Sequence, residues 1–252
     1  GVGKTTFAAA LAKLLEHPQG RVVALDLDPQ NSLGAQLGLP PSTPGLSQAS
    51  HGAEPWNTVC QALPDSPVEC LPFGHADAAQ LHTLEQHLAN EPGWLMQQLA
   101  TLALTPDDVL IIDLPTGPNT WLAPVLAMAD QVVAVTLPDT ASYRVLDTLQ
   151  AWLAPLHQRT PAARCSYLIN QVDPTRALNW TCARYCASVW DANCWAWSGS
   201  TTASMKPRPS NSTPSPRYPA ALPARTCAPQ RMRSPSPSPI IAKNPAPHDC
   251  AP

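Results

Sequence analysis

The feature that most constrains this chain is its opening, Gly1-Val2-Gly3-Lys4-Thr5-Thr6, followed at once by an apolar-periodic stretch. It reads as the back half of the phosphate-binding pattern G-x-x-x-x-G-K-[ST]. Glycines there let backbone N–H groups approach phosphate oxygens, and the helix that follows points its positive end at the same anion. Lys4 neutralises β- and γ-phosphate oxygens, and the Thr5 hydroxyl binds Mg2+. A chance glycine turn ahead of a helix has the same look, so the residues downstream must decide. The pattern's first glycine would fall ahead of Gly1. A truncated N-terminus is therefore expected, and with it the loss of the strand leading into the loop.

Downstream, apolar runs alternate with helical patterns over the first 178 residues, the mark of a mostly parallel sheet covered on both faces. Helices are expected over Lys4–Glu16, with Phe7, Leu11 and Leu14 or Leu15 inward, and over Ala76–Ala89, Trp94–Leu104, Thr120–Ala129 and Ala141–Leu156. Strands are expected at Arg21–Asp26, Val68–Phe73, Val109–Asp113, Gln131–Leu137 and Cys165–Asn170. Residues 38–67, rich in Pro, Ser and Gly, read as a loop region around one short helix near Trp56. The fold class that follows is α/β, doubly wound, with its first strand missing. Right-handed crossovers bring the C-terminal ends of the strands to one edge of the sheet, where a ligand binds.

Acidic residues stand at those ends. Asp113 closes Val-Leu-Ile-Ile-Asp, where a carboxylate holds Mg2+. Asp26-Leu27-Asp28-Pro29-Gln30 closes the strand after the first helix, giving Asp26 as a second carboxylate for the metal and Asp28 as the group that orients and deprotonates water. A single strand-end aspartate usually only caps a turn. Three in order, at spacings matching one fold, point to Mg·ATP chemistry.

With these residues in view the chain resembles the MinD/ParA family of ATPases, through GVGKTT, DLDPQ, IIDLPTG and the VVAVTLPD strand. The resemblance implies that Gly1, Val2, Gly3, Lys4, Thr5 and Thr6 bind ATP phosphates and Mg2+, that Asp28 is the first switch acid and that Asp113 is the second. It also implies that Asn170, after Cys-Ser-Tyr-Leu-Ile, contacts adenine; a plain turn asparagine is the alternative. Members of the family close an ATP-sandwich homodimer, using a lysine ahead of the position of Gly1. A narrower similarity, over DLPTGPNTWLAPVLAMADQVVAVTLPDTASYRVL, is to the cellulose-biosynthesis branch, BcsQ (YhjQ). That implies partners in the cellulose synthase secretion complex and a cytoplasmic protein with room for peripheral association at the inner membrane.

Charge bears on the alternatives. Residues 1–178 hold 7 Lys and Arg against 16 Asp and Glu, a net of −9, which disfavours a DNA-partition ATPase needing a basic surface. A P-loop enzyme acting on a small metabolite would need a polar pocket beside the γ-phosphate, and none is legible. An inactive fragment is the remaining alternative. No apolar run approaches the roughly 18–20 residues of a membrane span, and no signal peptide opens the chain. His75, His82 and His87 read as surface residues, and Trp121 and Trp152 as packing.

Composition breaks near Leu178. Residues 179–252 hold 8 Lys and Arg against 2 Asp and Glu, with 13 of the 31 prolines and 5 of the 8 cysteines. Two domains are thus expected, an incomplete P-loop ATPase domain over 1–178 and a tail over 179–252. The genetic code suggests that the tail from about Trp180 is out of frame. Joining the last base of each codon to the next two turns Asn179–Trp180 into Leu, Trp180–Thr181 into Asp and Trp190–Asp191 into Gly, whatever the codon choice. The recovered string has helical spacing and then a strand, the step an α/β domain needs next. Cys182, Cys186 and Cys194 lack a fourth zinc partner at ordinary spacing.

Overall fold

A computed structural model describes residues 1–16, 19–64, 66–91, 93–158, 164–173, 175–177, 179, 181–182 and 194–196, all inside one compact unit, Gly1–Thr201. The rest of the tail, with Trp180 and Cys186, lies outside the described residues.

In chain order the elements are α1 (Lys4–Leu14), β1 (Val22–Asp26), α2 (Ser32–Gln36), α3 (Leu46–His51), a 3-10 turn (Trp56–Val59), β2 (Gln61–Ala62), β3 (Val68–Leu71), α4 (Ala78–Asn90) and α5 (Trp94–Ala100). They continue with β4 (Val109–Asp113), α6 (Leu122–Met128), β5 (Gln131–Thr136), α7 (Thr140–Arg144), α8 (Leu146–Leu153), a second 3-10 turn (Ala154–Gln158), β6 (Arg164–Ile169) and β7 (Cys194–Ala196). This is the α/β alternation the sequence implies.

Two sheets form. The first runs β2-β3-β1-β4, with β1 parallel to both neighbours and only β2 antiparallel. The second runs β5-β6-β7, all parallel. Strand β1 is buried from end to end, because a central parallel strand is covered on both faces. Among the described residues β4 pairs only with β1, and β5 only with β6.

Helix α1 covers one face of the first sheet, with Leu11 packed against it as expected but alanines forming its buried side. The inward side is Ala8, Ala9 and Ala12, packed with Val22, Ala24 and Ile111. Leu14 is 60% exposed and the helix stops there, short of Glu16. Alanines win the core because the helix lies close on the strands, where longer side chains would hold it away. On the opposite face Trp56, Trp94 and Trp121 cluster with Leu25, Leu71 and Phe73.

Other differences have local causes. The expected 141–156 helix breaks at Val145, whose N–H bonds Ser142 C=O one residue short of α-helical spacing, at 3.2 Å. Asp139 Oδ1 caps the first piece by accepting from Ser142 N at 2.7 Å. The 38–67 region holds a 3-10 turn at Trp56 as expected, and also α3 and β2, which are too short to show a period.

Candidate nucleotide site

The site grows from register. Parallel pairing of β1 with β4 sets Asp26 opposite Asp113 at the same sheet edge, and Leu27 N–H extends the ladder to Asp113 C=O at 2.9 Å. The loops after β1, β4 and β6 gather there with Gly1–Thr6.

Gly3 is indispensable to the loop for two reasons. Its φ is +91°, a left-handed conformation, and a Cβ there would collide with the Asn170 side-chain amide. Helix α1 starts from it, Phe7 N–H reaching Gly3 C=O at 3.0 Å. Lys4 Nζ donates to Thr116 Oγ1, 2.6 Å away in the loop after β4. The Thr5 hydroxyl hydrogen-bonds the Asp113 carboxyl. Gly1 and Thr6 are exposed and Val2 is half-buried.

Asp113 is 3% exposed, and its Oδ2 is buried without a hydrogen-bond partner. Burial pushes its carboxyl above the ordinary range, against the Thr5 hydrogen bond and the charge of Lys4. An orphaned carboxylate oxygen beside a threonine hydroxyl offers the oxygen donors that a hard cation takes. Thr5 and Asp113 fit Mg2+.

Asp26 does not share that fit. Its Oδ1 accepts from Asp28 N and its Oδ2 from Leu33 N, both at 2.9 Å, with the side chain fully buried. Both oxygens serve the loop that follows. Burial lifts its carboxyl to about 7, opposed by these two N–H bonds and helped by the charges of Asp113 and Asp28.

Asp28 is half-buried in the same loop, its Oδ1 accepting from Gln30 N at 3.0 Å. Asn170 is at the site, though braced rather than outward: its Nδ2 donates to Val2 C=O at 2.9 Å. The amide steadies the phosphate loop here. Thr116 was not anticipated, although a hydroxyl three residues beyond Asp113 in a Pro-Thr-Gly turn is a legible signal. Asn31 was also missed; its Oδ1 accepts from Gly74 N at 3.1 Å, linking the loops after β1 and β3. A cavity of about 230 Å3 lies beside these loops, lined by Pro29, Gln30, Asn31, Pro40, Pro72 and His75 among others.

His82 and His87 lie on α4, while His75 borders that cavity. His75, His82 and His87 are exposed, and no cluster of His, Cys, Asp or Glu suited to a metal occurs among the described residues. Cys60, Cys70, Cys165 and Cys182 are free thiols. No helix among the described residues is long and apolar enough to cross a membrane.

Solved structures share this fold. Cobyrinic acid a,c-diamide synthase from Mycobacterium smegmatis, with bound ATP analog and magnesium, is 23% identical, covers 75% of this chain and 78% of its own, and superposes with a TM-score of 0.61. Apo McdA from Cyanothece is 20% identical over 80% of this chain and 82% of its own, with a TM-score of 0.64. MinD from Pyrococcus horikoshii, complexed with Mg-ADP, is 20% identical over 70% and 68%, with a TM-score of 0.54. The fold is therefore the P-loop fold of MinD and ParA type. No curated protein matches the chain by sequence. The family description "Cellulose biosynthesis protein BcsQ" matches residues 1–190, running past the compositional break at Leu178. The chain belongs to the BcsQ family of cellulose biosynthesis proteins.

Proposed function

We propose that the protein is a Mg-dependent ATPase acting as a dimeric switch in bacterial cellulose biosynthesis and secretion. The observation that carries the reading is the meeting of Lys4, Thr5 and Asp113 at one sheet edge, with Asp113 Oδ2 unpartnered and Asp28 in the adjoining loop.

In this reading the backbone N–H groups around Gly3 and Lys4 hold the β- and γ-phosphates at the start of α1. Lys4 exchanges its Thr116 partner for phosphate oxygens. Thr5 and Asp113 hold Mg2+, which when bound neutralises charge on the phosphates. Asp28 orients a water molecule. The water oxygen bonds to the γ-phosphorus as the bond to the bridging oxygen breaks, leaving ADP and phosphate, with the water proton passing toward Asp28. The loops carrying Asp28 and Thr116 both touch this region, so phosphate occupancy changes the surface they form. That surface closes a homodimer around ATP and engages components of the cellulose synthase complex from the cytoplasm, with peripheral association at the inner membrane. The domain carrying this activity is residues 1–178.

Lys4→Ala in the full-length protein should weaken Mg·ATP binding at least tenfold, since a charge-assisted phosphate contact contributes roughly 1.5–3 kcal/mol. Titration calorimetry with a non-hydrolysable ATP analogue reads this, and unchanged affinity would refute the assignment.

A further inference from the structure

We infer that Asp26 is a positioning residue for hydrolysis: its buried carboxylate closes the loop from Leu27 to Leu33 and so holds Asp28 in place. The inference rests on the reading of Asp28 as the water-orienting acid.

The geometry begins at the start of α2. A helix leaves its first N–H groups without internal acceptors, and the residue at the cap normally supplies one. Asn31 occupies that cap with φ +50°, yet its side chain makes no cap bond. Its Oδ1 is engaged instead with Gly74 N at 3.1 Å. The acceptor for the helix comes from Asp26, whose Oδ2 takes the Leu33 N–H at 2.9 Å across seven residues. The other oxygen, Oδ1, takes the Asp28 N–H at 2.9 Å.

One rigid side chain at the end of β1 therefore pins both ends of the loop. β1 is itself fixed by pairing on both sides, and Asp26 is fully buried, so the pin cannot swing. Asp28 sits between its own pinned N–H and its C=O, which accepts from Asn31 N at 2.8 Å. Its carboxylate is left with little backbone freedom. The consequence for catalysis is that Asp26 acts through Asp28 and touches neither substrate nor water.

The test is Asp26→Asn in the full-length protein. Asparagine keeps the shape but turns one acceptor into an N–H2 group facing an N–H donor. Steady-state hydrolysis should show kcat lower by tenfold or more, with KM for Mg·ATP within threefold of the parent. Because the effect passes through Asp28, the double variant Asp26→Asn with Asp28→Ala should be no slower than Asp28→Ala alone. A near-parental kcat in Asp26→Asn beside a slow Asp28→Ala overturns this inference alone. A tenfold rise in the Mg2+ concentration needed for half activity overturns it too, making Asp26 a metal ligand. A parental rate in Asp28→Ala brings down the reading of Asp28 and this inference with it. Should Asp26→Asn fail to fold, amide exchange in the unsubstituted protein decides. Asp28 and Leu33 N–H groups should exchange at least tenfold slower than in an unfolded chain, and exchange at the unfolded rate overturns the pin.

Discussion

Burial and hydrogen bonding pull the Asp26 carboxyl in opposite directions, and burial wins, lifting it to about 7 from an ordinary value of 3.8. The folded state thus keeps a proton that the unfolded chain has already lost between those values. The Asp26 contribution to stability is fully present below about pH 4, declines as pH rises through the window and is gone above about pH 7. Its size is on the order of 4 kcal/mol at most, at about 1.4 kcal/mol per pH unit. Asp113, raised by the same cause, adds to the same slope. Urea denaturation of the nucleotide-free protein should therefore show stability falling from pH 5 to pH 7, and Asp26→Asn should flatten part of that fall. A stability that rises over this range would mean the carboxyl is not raised. Asp28 stands differently, half-buried and bonded only within its own turn. Asp28→Ala should leave ATP affinity within about threefold yet slow hydrolysis, so that ATP-bound dimer accumulates on a sizing column. A parental rate would reduce Asp28 to a turn residue.

Helix α3 and the turn after it are small elements with a large share of one core face. Leu46 N–H and Ser47 N–H dock on Pro72 C=O and Phe73 C=O at 2.9 and 3.0 Å, and Gly45 lies so close that a Cβ would strike Pro72 and Gly74 backbone. Trp56 follows, fully buried, edge-on to Trp94 at 5.5 Å and tilted against Trp121 at 6.3 Å. Its Nε1 donates to Ser50 Oγ at 2.9 Å. Trp56→Ala should cost roughly 3–5 kcal/mol by the cavity it opens, measured by urea denaturation, while a loss below 1 kcal/mol would mean the three rings are not packed as a unit. None of this docking was legible in the sequence, because α3 is too short for a period and its partners are backbone groups. The strands were legible for the opposite reason: parallel strands carry continuous apolar runs, and Val109–Asp113 matches residue for residue. The meeting of Lys4, Thr5 and Asp113 at one sheet edge was readable because the loop motif and the parallel strand order fix where these residues fall. The work of Asp26 was not, since it depends on where Asn31 spends its side chain. Leu11 was read correctly on the inward face of α1, but the alanines beside it were not, because size, not hydrophobicity, selects the residues nearest the strands.

At the scale of the unit Gly1–Thr201, the described residues form two sheets, the first with a core on each face and the second with one. Helix α6 gives Val125 to a core of the first sheet and Leu126 to that of the second, and Asn170 joins β6 to the phosphate loop. Among the described residues the far edges of β4 and β5 have no partner strand, and this shows in their burial. Val109, Leu110 and Ile112 are only partly covered, as are Val132, Val133, Ala134 and Val135, although these strands are as apolar as the fully buried β1. An apolar edge with unpaired N–H and C=O groups is a template for pairing with another chain. The core of the second sheet is separate from the two that cover the first, so the sheets can lose order in turn. The 252-residue chain should therefore scatter light increasingly with concentration on heating, and its calorimetric trace should be broad or double. The calorimetric enthalpy should then exceed the van't Hoff value, because each sheet loses order without requiring the other to do so. If the two enthalpies agree in one sharp transition that is independent of concentration, the edges are closed in solution and the two sheets act as one cooperative body.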